Sequence, residues 1–358
     1  MIQFEVEYIP PPEPLPDELN AQRLRRRLLG VVGLLIVVGL VAWLAPGLGE
    51  VRQRLEAAQP GWLALAVMLE VFSCVSYVVM FKPIFCPRMS WRTSYELGMS
   101  ELAVGSLLPA SGAGGLAFGA WALSKGGMPA EDIARRTVAF FAIKSAANFV
   151  AVAALGLVMW LGVGPEVSPV LTLLPAILAV LAMGAVVSIP ALAGRRNTGA
   201  RAEVSGWRRK VSSAVDALED GVREAGHVMR RRDWRVIAGS LGYWAFDNAV
   251  LWACFKAFGE SPALTLVLMG YLLGQLGGLL PIPGGIGGID GGLIGALIVY
   301  GLPAAPVAAA VLAYRFVLFW VPLPLGAAGY AALRRGLNDP DRPDLCDPLR
   351  RVARPAAA

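Results

Sequence analysis

One eight-residue pattern occurs twice in this chain, and it limits the possible folds more than any other feature. Residues 105–112 read GSLLPASG and residues 277–284 read GGLLPIPG, both G-x-L-L-P-x-x-G, 172 positions apart. A second echo follows at nearly the same offset, GMPA at 127–130 and GLPA at 301–304. Recurrence at one spacing marks a duplicated unit. Proline and clustered glycine interrupt a helix. Both copies lie in long apolar stretches, where freed backbone groups are tolerated only if protein or a water-filled cavity surrounds them. Interrupted segments at matching places in two halves of a membrane protein point to a transport site.

Composition supports the membrane setting. Of 358 residues, 56% are hydrophobic and only 16% charged, whereas a soluble domain is nearer a quarter charged. The apolar material comes in runs of about 20 residues, enough to cross a hydrocarbon core of roughly 30 Å. Six full spans are predicted, about 28–45, 62–81, 137–161, 169–193, 236–258 and 307–332. Two further apolar regions, about 94–124 and 262–300, carry the repeated motif. Their arms are short for a span, so each is read as a re-entrant hairpin broken at Gly105, Pro109 and Gly112, or at Gly277, Pro281, Pro283, Gly284 and Gly285. The fold class is therefore an all-α membrane protein with six transmembrane helices and two oppositely oriented re-entrant helical hairpins in an inverted repeat.

Lysine and arginine set the orientation. Arg23 and Arg25–Arg27, then Lys82, Arg88 and Arg92, then the 195–235 cluster, then Arg334 and Arg335 fall on one side; Lys125, Arg135 and Arg136 join them if the first hairpin returns. The opposite side has Arg52 and Arg54 in its first loop, and no Lys or Arg in 162–168 or 259–306. Both termini are expected in the cytoplasm of a multi-pass plasma-membrane protein. Three crossings separate the starts of spans two and five, so repeat one (about 62–161) and repeat two (about 236–332) are expected to have opposite orientation within one membrane domain, 28–335. Residues 1–27 and 336–358 are read as disordered cytoplasmic tails. The N-terminal apolar run has no clear cleavage site and is read as a retained span. The linker 195–235 carries Val211, Val215, Leu218, Val222 and Met229 at helical spacing beside basic runs. It is either an amphipathic helix on an anionic leaflet or a basic loop obeying the topology rule.

The net charge of +6 lies between apolar runs, as topology requires, and is no nucleic-acid footprint. Cys74, Cys86, Cys254 and Cys346 form no CxxC motif and are expected to be reduced. The one histidine, His227, lies in a polar segment, so neither a metal site nor a cofactor is expected. An ionisable group at the centre of a span costs roughly 2.5–3.5 kcal/mol on insertion scales and usually faces a bundle interior. Candidates for a headgroup site or transport pathway are Glu70 and Asp247 in the middle of spans two and five, Lys144 and Arg315 at equivalent repeat positions, Glu101 in the first hairpin and Asp290 just beyond the second break. Lys144 lies about 10 Å below the cytoplasmic end of span three at 1.5 Å per residue. Thr137, Lys144, Ser145 and Asn148 form one polar stripe on that span. The plainer alternatives are that Lys144 snorkels to the surface and that Glu70 and Asp247 only hold helices together.

The run LLPIPGGIGGIDGG at 279–292, followed by Tyr314-Arg315 and a Pro/Gly-rich last span, resembles the flippase-like family, the membrane region shared with lysylphosphatidylglycerol synthases. The resemblance covers about 60–335. Most members carry Glu in place of Asp290, and many have arginine and an acid where this chain has the small residues Ser111 to Gly115. The resemblance implies a lipid translocase that moves an anionic phospholipid or lipid-linked intermediate between leaflets. Lys144 and Arg315 would then meet a phosphate-bearing headgroup, Arg315 as a planar fork. No transferase module, nucleophile triad or nucleotide loop is visible, so the chain is not read as an enzyme. Two other functions stay open: an accessory subunit docking a separate lipid-modifying transferase, and a small-solute secondary transporter.

Overall fold

The computed structural model of the protein describes residues 49–107, 113–193, 207–275, 288–337 and 345–346, with scattered positions between 22 and 33. The described residues form α-helices and no strand. In chain order these are α1 (Gly49–Glu56), α2 (Pro60–Phe85), α3 (Trp91–Leu107), α4 (Ala113–Lys125), α5 (Ala130–Trp160), α6 (Pro169–Ala193), α7 (Trp207–Arg230), α8 (Trp234–Ala257), α9 (Leu264–Gly274), α10 (Gly288–Val299), α11 (Ala304–Trp320) and α12 (Pro322–Leu337). The predicted first span, 28–45, and the motif residues Pro109, Gly112, Gly277, Pro281, Pro283, Gly284 and Gly285 lie largely or wholly outside the described residues.

Among the described residues four helices are long and apolar enough to cross a membrane: α2, α5, α6, and α11 running into α12 as one 34-residue stretch, Ala304–Leu337. Proline marks that last junction, since Pro322 opens α12 directly after Val321 and a proline suits the first helical position. Helix α8 has the length, 24 residues, but Tyr243, Trp244, Asp247 and Asn248 interrupt its apolar run. Its N-terminus is capped by Asp233, whose side chain accepts from the Arg235 backbone N–H at 3.0 Å. The Arg235 guanidinium also clamps that carboxylate and holds it below the usual carboxylate range.

The packing repeats as the sequence does. Helix α2 lies along α8, the most extensive contact in the molecule. In repeat one α3 packs on α4, α4 on α5 and α2 on both α3 and α5; in repeat two α9 packs on α10, α10 on α11 and α8 on both α9 and α11. The cross-contacts match as well, α9 with α5 and α3 with α12. Each motif-bearing region thus forms two short helices lying against each other. Gly105, expected to belong to the first break, sits inside α3. It serves close approach instead: a Cβ at Gly115 on α4 would run into the Glu101 carbonyl oxygen and lie 3.1 Å from the Gly105 Cα.

Two large apolar clusters dominate the core among the described residues, one around Phe81, Phe85 and Phe140, the other around Leu251, Leu297 and Val311, with two smaller ones beside them. On α6 the residues Val170, Leu174, Leu178 and Leu181, at helical spacing, are 51–63% exposed, an apolar face suited to lipid. Part of the linker forms helix α7, whose buried face differs from the predicted apolar one. The stripe packed on α5 is Gly221, Ala225 and Val228, one position round from the predicted one. Leu218 and Met229 remain outside, and His227 is exposed.

Two cysteine expectations are overturned. Cys86 and Cys346, 260 residues apart, form a disulfide with Cα atoms 5.0 Å apart, while Cys74 and Cys254 are free and buried. The tail read as disordered folds back at this point. Leu345 is only 4% exposed, and its N–H donates to the Gly126 carbonyl at 3.2 Å. No short-range spacing could signal a pairing made by such a return.

A close backbone approach lies at the α2–α8 crossing. A Cβ at Gly239 would meet the Met80 nitrogen at 2.7 Å and the Ser76 oxygen at 2.8 Å. Backbone cannot give way as a side-chain tip can. Gly239→Ala is therefore expected to destabilise the protein by about 1–3 kcal/mol through overpacking. Gly184→Ala on α6, where a Cβ would meet nothing within 4 Å, should instead be neutral or slightly stabilising, since alanine favours a helix by about 0.8–1 kcal/mol over glycine. Melting curves of the detergent-solubilised variants give the comparison.

Candidate functional site

The ionisable residues singled out by the sequence converge between the two repeats. Helix α2 presents Glu70, Cys74 and Tyr77 at i, i+4 and i+7, which places them on one face. Helix α8 presents Tyr243 and Asp247 at i and i+4. Helices α3, α5, α9 and α11 contribute Glu101, Lys144, Tyr271 and Tyr314. Tyr77 belongs to the first apolar cluster and Tyr271 and Tyr314 to the second, so the polar groups are bordered by both. Glu70, Glu101 and Asp247 are each no more than 6% exposed.

Asp247 is the best-satisfied acid. Its Oδ1 accepts from the Tyr314 hydroxyl at 2.8 Å, and its Oδ2 accepts from the Tyr271 hydroxyl. It also lies in the field of both Lys144 and Arg315. Two hydroxyl donors and two nearby cations thus surround one carboxylate. Glu70 differs. Its Oε1 meets only the weak Cys74 thiol donor at 3.7 Å, and its Oε2 is buried with no hydrogen-bond partner. Its closest charged neighbour is Asp247, of the same sign.

Lys144 neither snorkels away nor makes an ion pair within 4 Å among the described residues. Its ammonium lies over three rings, 4.7 Å from the Tyr243 centroid and 5.8 Å from those of Tyr77 and Phe141. A cation over aromatic faces gains up to about 2 kcal/mol when desolvated, which replaces part of the lost hydration. Glu101, on α3, faces both Lys144 and the Tyr77 hydroxyl. Asn148 follows one turn after Lys144 and is half-buried; no hydrogen bond joins it to the cluster among the described residues.

Arg315 points to Asp290. Its Nε and Nη2 both donate to Asp290 Oδ1 at 2.6 Å, with the two side chains 16% and 14% exposed. This pair joins α11 to the start of α10, immediately after the second motif. The site thus has two linked parts, an Asp290–Arg315 ion pair and an acid-rich centre around Asp247. In the centre three carboxyls face one ammonium. A buried site cannot hold that surplus fully ionised, so protons or a bound cationic group must neutralise it.

Sequence reasoning missed the tyrosines at 77, 243 and 271, and missed Cys74. The signal was present: Tyr243 stands one turn before Asp247, and Cys74 and Tyr77 stand one and two turns after Glu70. Asn248, next to Asp247, donates to the Trp244 carbonyl at 2.8 Å and keeps its own carbonyl oxygen buried without a partner.

Comparison with known proteins adds a family. The sequence profile of the lysylphosphatidylglycerol synthase TM region matches residues 30–326. A "UPF0104 membrane protein" of Methanothermobacter thermautotrophicus is 26% identical over 326 residues, covering 82% of this chain and 93% of the relative. A second protein of that description from the same organism is also 26% identical over 326 residues, 84% of this chain and 92% of its own.

Proposed function

We propose that this chain, which belongs to the family of the lysylphosphatidylglycerol synthase TM region, translocates a phosphate-bearing lipid between leaflets through the polar centre between its repeats. The observation that carries the reading is the pair Lys144 and Arg315. They occupy equivalent repeat positions, and both reach the field of one buried acid, Asp247. A duplicated cation around a shared centre suits a headgroup handed from one repeat to the other. In this reading the repeats are inverted, α3–α4 enters from the cytoplasm and α9–α10 from outside, and the motif breaks meet near the midplane. Lys144, which lies over three rings and makes no ion pair within 4 Å among the described residues, is the cation that a phosphate engages. The surplus acid is protonated while the anion is bound, because a fully ionised centre would repel it.

Reconstitution in liposomes tests this. The wild-type protein should move a fluorescent phosphatidylglycerol from the inner to the outer leaflet, read by quenching with an impermeant reductant. Lys144→Met keeps the apolar stem and removes the charge. It should fold normally and lose at least about tenfold in rate, as expected when a hydrogen bond to a charged group worth roughly 1.5–3 kcal/mol disappears. Pro281→Ala with Pro283→Ala should also stop translocation while leaving membrane insertion intact. Wild-type rates in both variants would refute the reading.

A further inference from the structure

A second cavity lies away from the centre, between α4 and α12, beside the basic residues that close those helices. Its volume is about 150 Å³. Three aromatic side chains wall it. Phe118 lies against Trp121 with ring centroids 5.8 Å apart, and against Tyr330 at 5.5 Å. Leu333 lines it as well, while Lys125 and Arg334 bring two cations to it. The Lys125 ammonium sits 5.2 Å above the Trp121 ring, and Arg334 is exposed. Trp121 adds an independent observation. Its indole Nε1 is buried with no acceptor, and a buried unsatisfied donor is a cost a native protein rarely carries without a reason.

We propose that this cavity is an anion site for a phosphate-bearing ligand, with Arg334 and Lys125 on the charge and the Trp121 N–H as a neutral donor. A guanidinium fork matches a phosphate bidentately. The aromatic and leucine walls fit an apolar portion next to that phosphate, which favours a phospholipid headgroup with the start of its chains over a free phosphate. Aromatic and basic side chains together also mark the level at which a bilayer's headgroups lie. The site needs neither Lys144 nor Arg315, so it stands whether or not the polar centre moves lipid.

Calorimetry on the full-length protein in a non-ionic detergent tests it with three probes: dihexanoyl phosphatidylglycerol, glycerol 3-phosphate and inorganic phosphate. The wild type should bind the short-chain lipid. Arg334→Gln with Trp121→Phe should weaken that binding at least about tenfold, a loss expected for one charged hydrogen bond. The first change removes the charge and the second the N–H while keeping an aromatic ring, and an unchanged melting temperature checks the fold. Repeating the comparison in a Lys144→Met background, where the centre has lost the cation proposed to engage phosphate, separates the cavity from the centre. Equal binding of glycerol 3-phosphate, lost in the same double variant, would keep the anion site and assign it to a soluble phosphate ester. Absence of binding of every probe by the wild type, or binding undiminished in the double variant, would overturn the proposal.

Discussion

Arg315→Ala is expected to lower the stability of the protein more than any other single change in the polar site. The substitution removes both donors, at 2.6 Å, from Asp290 Oδ1 and leaves the carboxylate of a residue whose side chain is only 14% exposed. Breaking one side of a buried ion pair costs about 3–5 kcal/mol in soluble proteins. The lower end applies here, because both side chains keep some contact with solvent. The loss should therefore be about 3 kcal/mol and should show as a clear fall in melting temperature in detergent. The double variant Arg315→Ala with Asp290→Asn removes the carboxylate charge as well and should recover part of that loss. If the double variant is no more stable than the single one, the pair is not what holds α10 to α11. Arg315→Lys should restore only part of the stability, since one ammonium replaces a planar fork.

Asp247→Ala comes next. It leaves the Tyr271 and Tyr314 hydroxyls without their acceptor and takes the counter-charge from the field of Lys144. In water-soluble proteins two orphaned hydroxyls would cost roughly 2–6 kcal/mol. Hydrogen bonds inside membrane proteins average nearer 0.6 kcal/mol, with a maximum of about 1.7. Removing the acid also relieves its repulsion with Glu70. A net loss of roughly 1–3 kcal/mol is expected, together with loss of translocation. Asp247→Asn keeps one carbonyl acceptor, so it should satisfy one tyrosine and fall between the wild type and alanine in stability. Thermal melts and liposome rates on the same preparations separate the two effects. Equal stability of Asp247→Ala and wild type would mean that the two tyrosine bonds contribute nothing to the packing of α9 and α11 on α8.

Much of this architecture was legible before any coordinates. The repeated G-x-L-L-P-x-x-G pattern located two helix pairs, α3–α4 and α9–α10, because proline and clustered glycine end a helix wherever the rest of the fold lies. For the linker the spacing of its valines left a helix and a plain basic loop both open, and the buried face of α7 is a neighbouring stripe. The candidate ionisable residues were chosen because the cost of a charge in hydrocarbon leaves few other places for it, and Glu70, Glu101 and Asp247 are buried. Glu70, Glu101, Lys144 and Asp247 all reached the same centre. Gly105 was assigned to the wrong role because its neighbours in sequence resemble a break, whereas its packing partner, Gly115, lies on another helix.

What the sequence determined by itself was the class of protein, the duplication and the residues that had to face inward, all consequences of solvent cost and helix period. The tertiary structure alone decided which of those residues meet. Helical periodicity tells which face a side chain occupies, but a partner depends on how two helices cross and rotate against each other. Asp290 therefore became the partner of Arg315, and Asp247 that of Tyr271 and Tyr314. Lys144 came to rest over rings from α2, α5 and α8 without any acid in contact. Cys86 joined Cys346 across 260 residues because the chain after α12 returns to the end of α2, a long-range contact that no local pattern encodes.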